Sequence, residues 1–412
     1  MKPFLAMVLL CFLTSAACSK DAPQAVADTP DSTANGAYPP VETQTPNAAY
    51  QPAFAGQTRA PGIRTQTPLE VAVLSKDLDH PWGVITLPDG RLLITQKGGT
   101  MRLAKTDGTL SAPITGLPAV ANKGQGGLLD VAADPEFVTN RMVYWTFSEP
   151  VAGGNLTSVA KGKLSADEKR IENPQVIFRA TPAYDGDKHF GGRLVFDRSG
   201  NLFVSTGERS DLATRPKAQD LSTALGKVLH ITKDGQPVGG NPFMGQAGAL
   251  PQIYSYGHRN VQSLAIHPES GALWEAEMGP KGGDEINHIE AGKNYGWPTI
   301  TYGLEYSGEK VGQGITQKEG LEQPVYYWDP VVSVSGMIFY SGKMIPEWKN
   351  NLLIGCLSGQ HIARIALNGN KVSGEERLLA NEGERFRDLA EGTDGAVYAV
   401  TDGGKLYRIA KK

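Results

Sequence analysis

The residues best equipped for chemistry gather between Gly257 and Pro298. That run reads G-H-R-N (Gly257 to Asn260), then H-P-E-S-G-A-L-W-E-A-E-M-G-P-K-G-G-D-E-I-N (His267 to Asn287), then G-K-N-Y-G-W-P (Gly292 to Pro298). Arg259 presents a fork of donors suited to a carboxylate or phosphate, and Asn260 places a side-chain amide beside it. Gly279-Pro280 turns the chain sharply, and such a turn aims carbonyl oxygens outward, the ligands that hard cations such as calcium accept. Asp284, Glu285 and the carbonyls near Tyr295 could form a second oxygen site. The alternative is ordinary turn chemistry in two loops. Gly, Pro, Trp, Arg and paired acids rarely crowd together for packing alone.

Three other segments carry reactive groups. His189 lies in the Gly-rich loop Tyr184 to Leu194 rather than on an apolar strand. An unperturbed imidazole titrates near neutrality, so it can act as a general base; Asp185 and Asp187 beside it equally suit a surface turn. Gln125 sits among glycines in Asn122 to Leu129, where the backbone can approach a flat ligand and the amide can donate and accept. This stretch lacks the Lys-Ser/Thr of a phosphate-binding loop, and a flexible connection is the other reading. Arg385 and Arg387 stand at i and i+2, hence on one side of an extended segment. They suit either a polyanionic ligand or a solvated charged strand.

The elements that must position these groups are short strands. Asp89-Gly90, Asp134-Pro135, Ser199-Gly200, Ser270-Gly271, Pro346-Glu347 and Asp394-Gly395 each precede a β-rich run, such as Leu202 to Thr206 or Val397 to Val400. No amphipathic helix pattern of useful length is present. Six such units in one chain predict a single repeat architecture, and a β-propeller fits because radial repetition leaves few exposed edges. A pair of β-sandwiches is the competing fold. With 49 glycines and 27 prolines the chain is rich in turns, and a net charge of −3 argues against a nucleic-acid partner.

Residues 1–17 read as a signal peptide: Lys2, the apolar run Phe4 to Leu13, then Ser15-Ala16-Ala17. Cys18 completes a lipobox-like ending, with Ser15 where Leu is usual, so the expectation is an exported protein, in the periplasm or an outer-membrane lipoprotein held only by a lipid anchor. The Ala-, Pro- and Thr-rich stretch through Thr67 makes 18–67 a lipid-attachment Cys followed by a disordered linker, because it has little apolar surface to bury. The folded domain is expected over 68–412. Cys356 is expected to be a buried small hydrophobe in a strand.

Taken together, the segments H-P-W-G (His80 to Gly83), G-Q-G-G-L-L-D-V (Gly124 to Val131), H-F-G-G-R-L (His189 to Leu194), G-H-R-N, M-G-P-K-G-G-D-E-I-N, N-Y-G-W-P, S-G-M-I-F-Y (Ser335 to Tyr340), G-Q-H (Gly359 to His361) and R-F-R-D resemble the soluble quinoprotein sugar dehydrogenases. These are the aldose and glucose dehydrogenases that use pyrroloquinoline quinone (PQQ). The resemblance implies an all-β, six-bladed β-propeller of four-stranded antiparallel sheets, with PQQ over one mouth of the central channel. It implies His189 as the base for the sugar C1 hydroxyl, and Gln125, Arg259, Asn260, Arg385 and Arg387 as PQQ contacts. Carbonyls of Gly279 and Pro280 would hold the calcium at the quinone, and Glu285 and Tyr295 a second, structural calcium. An aldose would be oxidised at C1 to a lactone, with electrons leaving to an unidentified acceptor.

Three positions depart from the family pattern. Ser358 replaces a Lys that contacts PQQ, with Lys188 as a possible substitute cation. Met278 stands where His usually precedes Gly-Pro. Lys188 stands where the glucose dehydrogenases have Asp, which would leave His189 without a carboxylate neighbour. These departures keep open a non-catalytic propeller that binds a ligand or partner.

Overall fold

The computed structural model describes Met1 and residues 38–412; the expected signal peptide and Cys18 lie outside the described residues. Six antiparallel sheets surround a central channel as the blades of a propeller. The innermost strands, in order, are Pro81–Thr86, Leu128–Ala133, Gly191–Phe196, Val261–Ile266, Val334–Phe339 and Phe386–Glu391. Each packs against the next, and the last against the first, so the ring closes. Five blades have four strands; in blade one, isolated bridges at Ile114 and Leu110 stand beside its outermost strand, Thr100–Ala104.

The turn-and-strand units visible in the sequence are the hairpins between the first and second strands of the blades. Second strands run Leu92–Gln96, Met142–Val151, Leu202–Thr206, Leu273–Glu277, Leu352–Cys356 and Val397–Thr401. Their turns are built locally. The Asp197 carboxylate accepts from the Ser199 and Asn201 amides at 2.8 Å each, and Asp89 and Asp394 do the same for Arg91 and Ala396. Gly200, at φ 80°, supplies the left-handed conformation that ends the turn.

Blade six is closed by the start of the domain. Leu69–Ser75 pairs as its outermost strand with Leu406–Lys411, with Leu69 opposite Lys411 and Val73 opposite Tyr407. The apolar cores lie between neighbouring blades, around Trp145, Trp274 and Trp348. Cys356 is buried in one of them, and burial pushes its thiol pKa up.

Residues 38–67, expected as disordered tether, instead form an ordered strap along blades four and five. Gly62 bridges to Glu375 in the outer strand Lys371–Leu378. The Asp329 carboxylate accepts from the Asn47 and Ala48 amides at 2.9 Å each, and Arg59 donates to the carbonyls of Glu42, Gln44 and Asp329. Arg377 pairs with Glu42 at 2.7 Å, and Glu376 takes Thr65. The strap has little apolar surface of its own. It is held by charged and polar groups that the blades supply, which its composition could not reveal.

Candidate active site

One mouth of the propeller is a cleft of 610 Å³. Its walls are the starts of the inner strands, including Trp82, Leu129, Gly191 and Asn260, together with turns that follow the second strands, at Lys97, Met278, Leu357 and Asp402. The propeller therefore gathers into one cavity residues that are far apart in the chain. Gln125, Asn260, Arg385 and Arg387 all line it.

His189 sits in the wall beside the lining residues Phe190 and Gly191, 5% exposed and at φ 49°. Its amide donates to the Gln125 side-chain oxygen at 2.7 Å. Its Nδ1 lies 2.6 Å from Oε1 of Glu208, a residue 1% exposed. So Glu208, which nothing in its local sequence singles out, supplies the carboxylate neighbour that Lys188 was expected to remove. Lys188 itself is exposed outside the cleft, with its carbonyl accepting from Arg209. Glu208 lies two residues past the second strand of blade three, and only the hairpin brings it back to His189. Burial pushes the Glu208 pKa up to about 7, against the pull of the Arg259 and Arg215 charges. Burial, then Arg259, Lys188 and Arg209, holds His189 well below its ordinary value, so the imidazole is neutral at neutral pH. With Glu208 ionised, Nδ1–H donates to it and Nε2 keeps its lone pair.

The cationic side of the cleft comes from blade six. Asp402 takes Arg385 Nε at 2.8 Å and Arg387 Nε at 2.8 Å, which holds both guanidinium groups on one side, as their i, i+2 spacing predicts. Asn260 accepts from the Gly191 amide at 3.1 Å and from Gln262 at 3.2 Å. Tyr306, also unanticipated, lines the cleft at 72% exposure, with its hydroxyl 3.5 Å from Arg259 Nη2. Met278 lines it as well, its sulfur 3.8 Å from the Asn260 amide nitrogen. Ser358 makes a hydroxyl pair with the lining residue Ser333 at 2.7 Å.

The two expected cation sites fare differently. Arg259 Nη1 donates to the Gly279 carbonyl at 2.7 Å and to that of Met278 at 2.9 Å. A guanidinium thus already faces the Gly279 oxygen, and a metal ion there would have to displace it; Pro280 is buried and outside the cleft lining. This arrangement does not fit a cation at Gly279-Pro280. Asp284 is also spent, since its carboxylate accepts from the amides of Gly279, Val332 and Ser333 at 2.6–2.9 Å.

Beneath Arg259, by contrast, Glu277 and Glu285 oppose each other on adjacent strands, as do Glu275 and Asn287. Burial, then the charge of Glu277, pushes the carboxyls of Glu275 and Glu285 well above the ordinary range. Glu275 Oε2, Asn287 Oδ1 and His258 Nδ1 are buried without hydrogen-bond partners. His258 lies within 3.5 Å of Glu277 and stacks on Tyr295 at 4.8 Å. The Tyr295 hydroxyl donates to the His288 carbonyl, leaving its own backbone carbonyl as the ligand it could offer. Buried acids with unpaired oxygens fit a bound cation, which would supply the missing counter-charge. Glu275 and Glu277 alternate on one face of a strand, a signal readable in W-E-A-E.

A propeller whose mouth carries a buried histidine backed by a carboxylate, in a cleft lined by two guanidinium groups, has the build of an enzyme site. Residues 78–408 match the model of the Glucose / Sorbosone dehydrogenase family, and the chain belongs to that family of oxidoreductases. Aldose sugar dehydrogenase YliI of Escherichia coli is 42% identical over 349 residues, covering 84% of this chain and 93% of the relative. The crystal structure of the soluble aldose sugar dehydrogenase of E. coli in its apo-form matches with a TM-score of 0.80, over 84% of this chain and all (100%) of that one. The PQQ-bound aldose sugar dehydrogenase of Streptomyces coelicolor, 29% identical, matches with a TM-score of 0.69 over 84% of this chain and 99% of its own.

Proposed function

We propose that this chain oxidises aldoses at C1 to lactones with PQQ as its cofactor. The observation that carries the reading is the His189–Glu208 pair, set in the wall of a cleft with Arg385 and Arg387 on its lining. PQQ is a planar tricarboxylate, and when bound it supplies the two-electron acceptor for the hydride leaving C1. Arg385 and Arg387 match its carboxylates, Arg259 adds its charge from behind the lining residues Met278 and Tyr306, and Gln125 and Asn260 offer amides to its ring oxygens. His189 Nε2 takes the proton of the C1 hydroxyl, so C1 loses one hydride and its oxygen one proton. Glu208 fixes the tautomer that makes Nε2 the base and stabilises the imidazolium that forms. Trp82, Leu129 and Phe190 pack as an apolar group at the cleft and keep water from the reacting carbon. The calcium requirement falls to the acidic cluster around Glu285 and Tyr295, where it is structural.

Export to the cell envelope, with a lipid anchor on Cys18, belongs to the same proposal and rests on the Lys2-to-Cys18 pattern. Electrons then pass to an acceptor of that compartment. The test is reduction of an artificial dye by purified protein given PQQ, calcium and an aldose. His189→Ala is expected to bind PQQ and lose turnover by at least a hundredfold, in the range of about 10²–10⁴ for loss of a general base. Wild-type turnover in that variant would overturn the base assignment, and no dye reduction by the parent protein would overturn the function.

A further inference from the structure

Lys97 is the one lysine on the lining of the cleft, among the described residues. It follows the second strand of blade one, whose last residue is Gln96. Its aliphatic stem crosses Gly127 so closely that a Cβ there would stand 2.5 Å from Lys97 Cγ. Gly127, at φ 145°, thus leaves a groove for the stem. At its end the ammonium donates to the Gly124 carbonyl at 2.6 Å, next to the Gln125 that also holds His189. An ammonium has three donors, and this contact uses one.

The charges around the cleft are unbalanced. Three cations, Lys97, Arg385 and Arg387, line it with a single carboxylate, Asp402, and both guanidinium groups are already on that acid. Burial and the charge of Arg387 hold the Lys97 ammonium below its ordinary value, a situation that an anion in the cleft would relieve. In blade five, Ser358 offers only a hydroxyl, engaged with the lining residue Ser333.

We propose that Lys97 is a cofactor-binding residue, supplying from blade one the ammonium–carboxylate contact that Ser358 does not supply from blade five. The assignment rests on the PQQ reading above and adds to it. It also explains how the cleft can hold a polyanion despite the serine, and it excludes Lys188, whose side chain is exposed outside the lining.

The experiment is equilibrium titration of the full chain with PQQ, followed by the cofactor's absorbance and without substrate. Loss of one charge-assisted contact is expected to weaken PQQ binding about ten- to a hundredfold in K97M, with K97R close to the parent. K188M, the control, should bind as the parent does. Adding S358K to K97M should restore much of the lost affinity, which a merely structural role for Lys97 would not allow. Unfolding temperatures without PQQ check that each variant is folded. If the parent binds and folded K97M binds equally well, the Lys97 assignment is wrong while the functional reading stands. If the parent itself fails to bind, the functional reading fails first.

Discussion

Glu208→Gln is the most informative perturbation of the reactive pair. It keeps the size of the side chain and removes the carboxylate that holds His189 Nδ1 at 2.6 Å. A hydrogen bond to a charged group contributes about 1.5–3 kcal/mol, and each 1.4 kcal/mol is about tenfold. Turnover should therefore fall about ten- to a hundredfold from the lost stabilisation of imidazolium alone. The loss grows if the new amide donates to Nδ1, because Nε2 would then carry the proton; the comparable change in a serine-protease triad costs about 10⁴. The pH profile discriminates further. Burial has pushed Glu208 up to about 7, whereas His189 is held well below its ordinary value and stays neutral across that window. The ionised acid is the active form, so parental turnover should rise through about pH 7 and level off above it. In Glu208→Gln that rise should vanish, with PQQ affinity unchanged because Glu208 is buried beside the cleft rather than on its lining. The assay is steady-state dye reduction across pH with saturating PQQ and aldose. Unchanged turnover in the variant, or a rise near neutrality that survives, would refute the pairing.

Other outcomes follow from the same geometry. Chelating calcium should lower the unfolding temperature, and the drop should grow with pH. Glu275 and Glu285 have folded pKa values raised by burial and by Glu277, so their contribution to stability is present below the ordinary carboxylate range and lost as pH rises through the raised values. A cation on the cluster offsets that loss; an unfolding temperature indifferent to chelator at every pH would argue against the site. Arg193→Met should be destabilised by about 3–5 kcal/mol in urea titration, since Arg193 lies 3.3 Å from Asp130 and 2.9 Å from Asp388, both buried in the channel. Asp329→Ala should expose residues 38–67 to limited proteolysis while leaving the unfolding temperature of the propeller nearly unchanged, because the amides of Asn47 and Ala48 lose their acceptor.

How much of this was legible depended on the range of each interaction. The hairpins could be read because Asp89, Asp197 and Asp394 bond to amides two residues on, a contact that sequence spacing encodes. The six-fold repeat followed from them. The closing strand Leu69–Ser75 could not be assigned a partner, since it pairs with the other end of the domain. Residues 38–67 were misread because composition measures what a segment can bury by itself, and here Asp329, Glu375 and Arg377 do the holding. The site divided along the same line. His189, Gln125, Asn260, Arg385 and Arg387 were readable from residue type and loop setting, and they converge. Glu208 and Lys97 were not, because nothing local marks which residues after a strand come to lie beside His189 or on the wall of the cleft.

The fold also explains why the cleft and the acidic cluster lie so close together. Both depend on Arg259. Its backbone amide donates to Glu277 at 2.6 Å, while its guanidinium reaches the carbonyls of Met278 and Gly279 above. Its Nε is buried without a partner, and the group lies 5.2 Å from the Trp297 ring. Once pH passes the raised pKa values of Glu275 and Glu285 and these buried carboxyls ionise, the guanidinium held over them is partly neutralised, and this weakens its pull on an anion in the cleft. A cation on the cluster would cancel those negative charges and return the full Arg259 charge to the cleft. Calcium at a purely structural position would therefore tighten PQQ binding without touching it. The coupling is reciprocal, so bound PQQ must raise calcium affinity by the same factor.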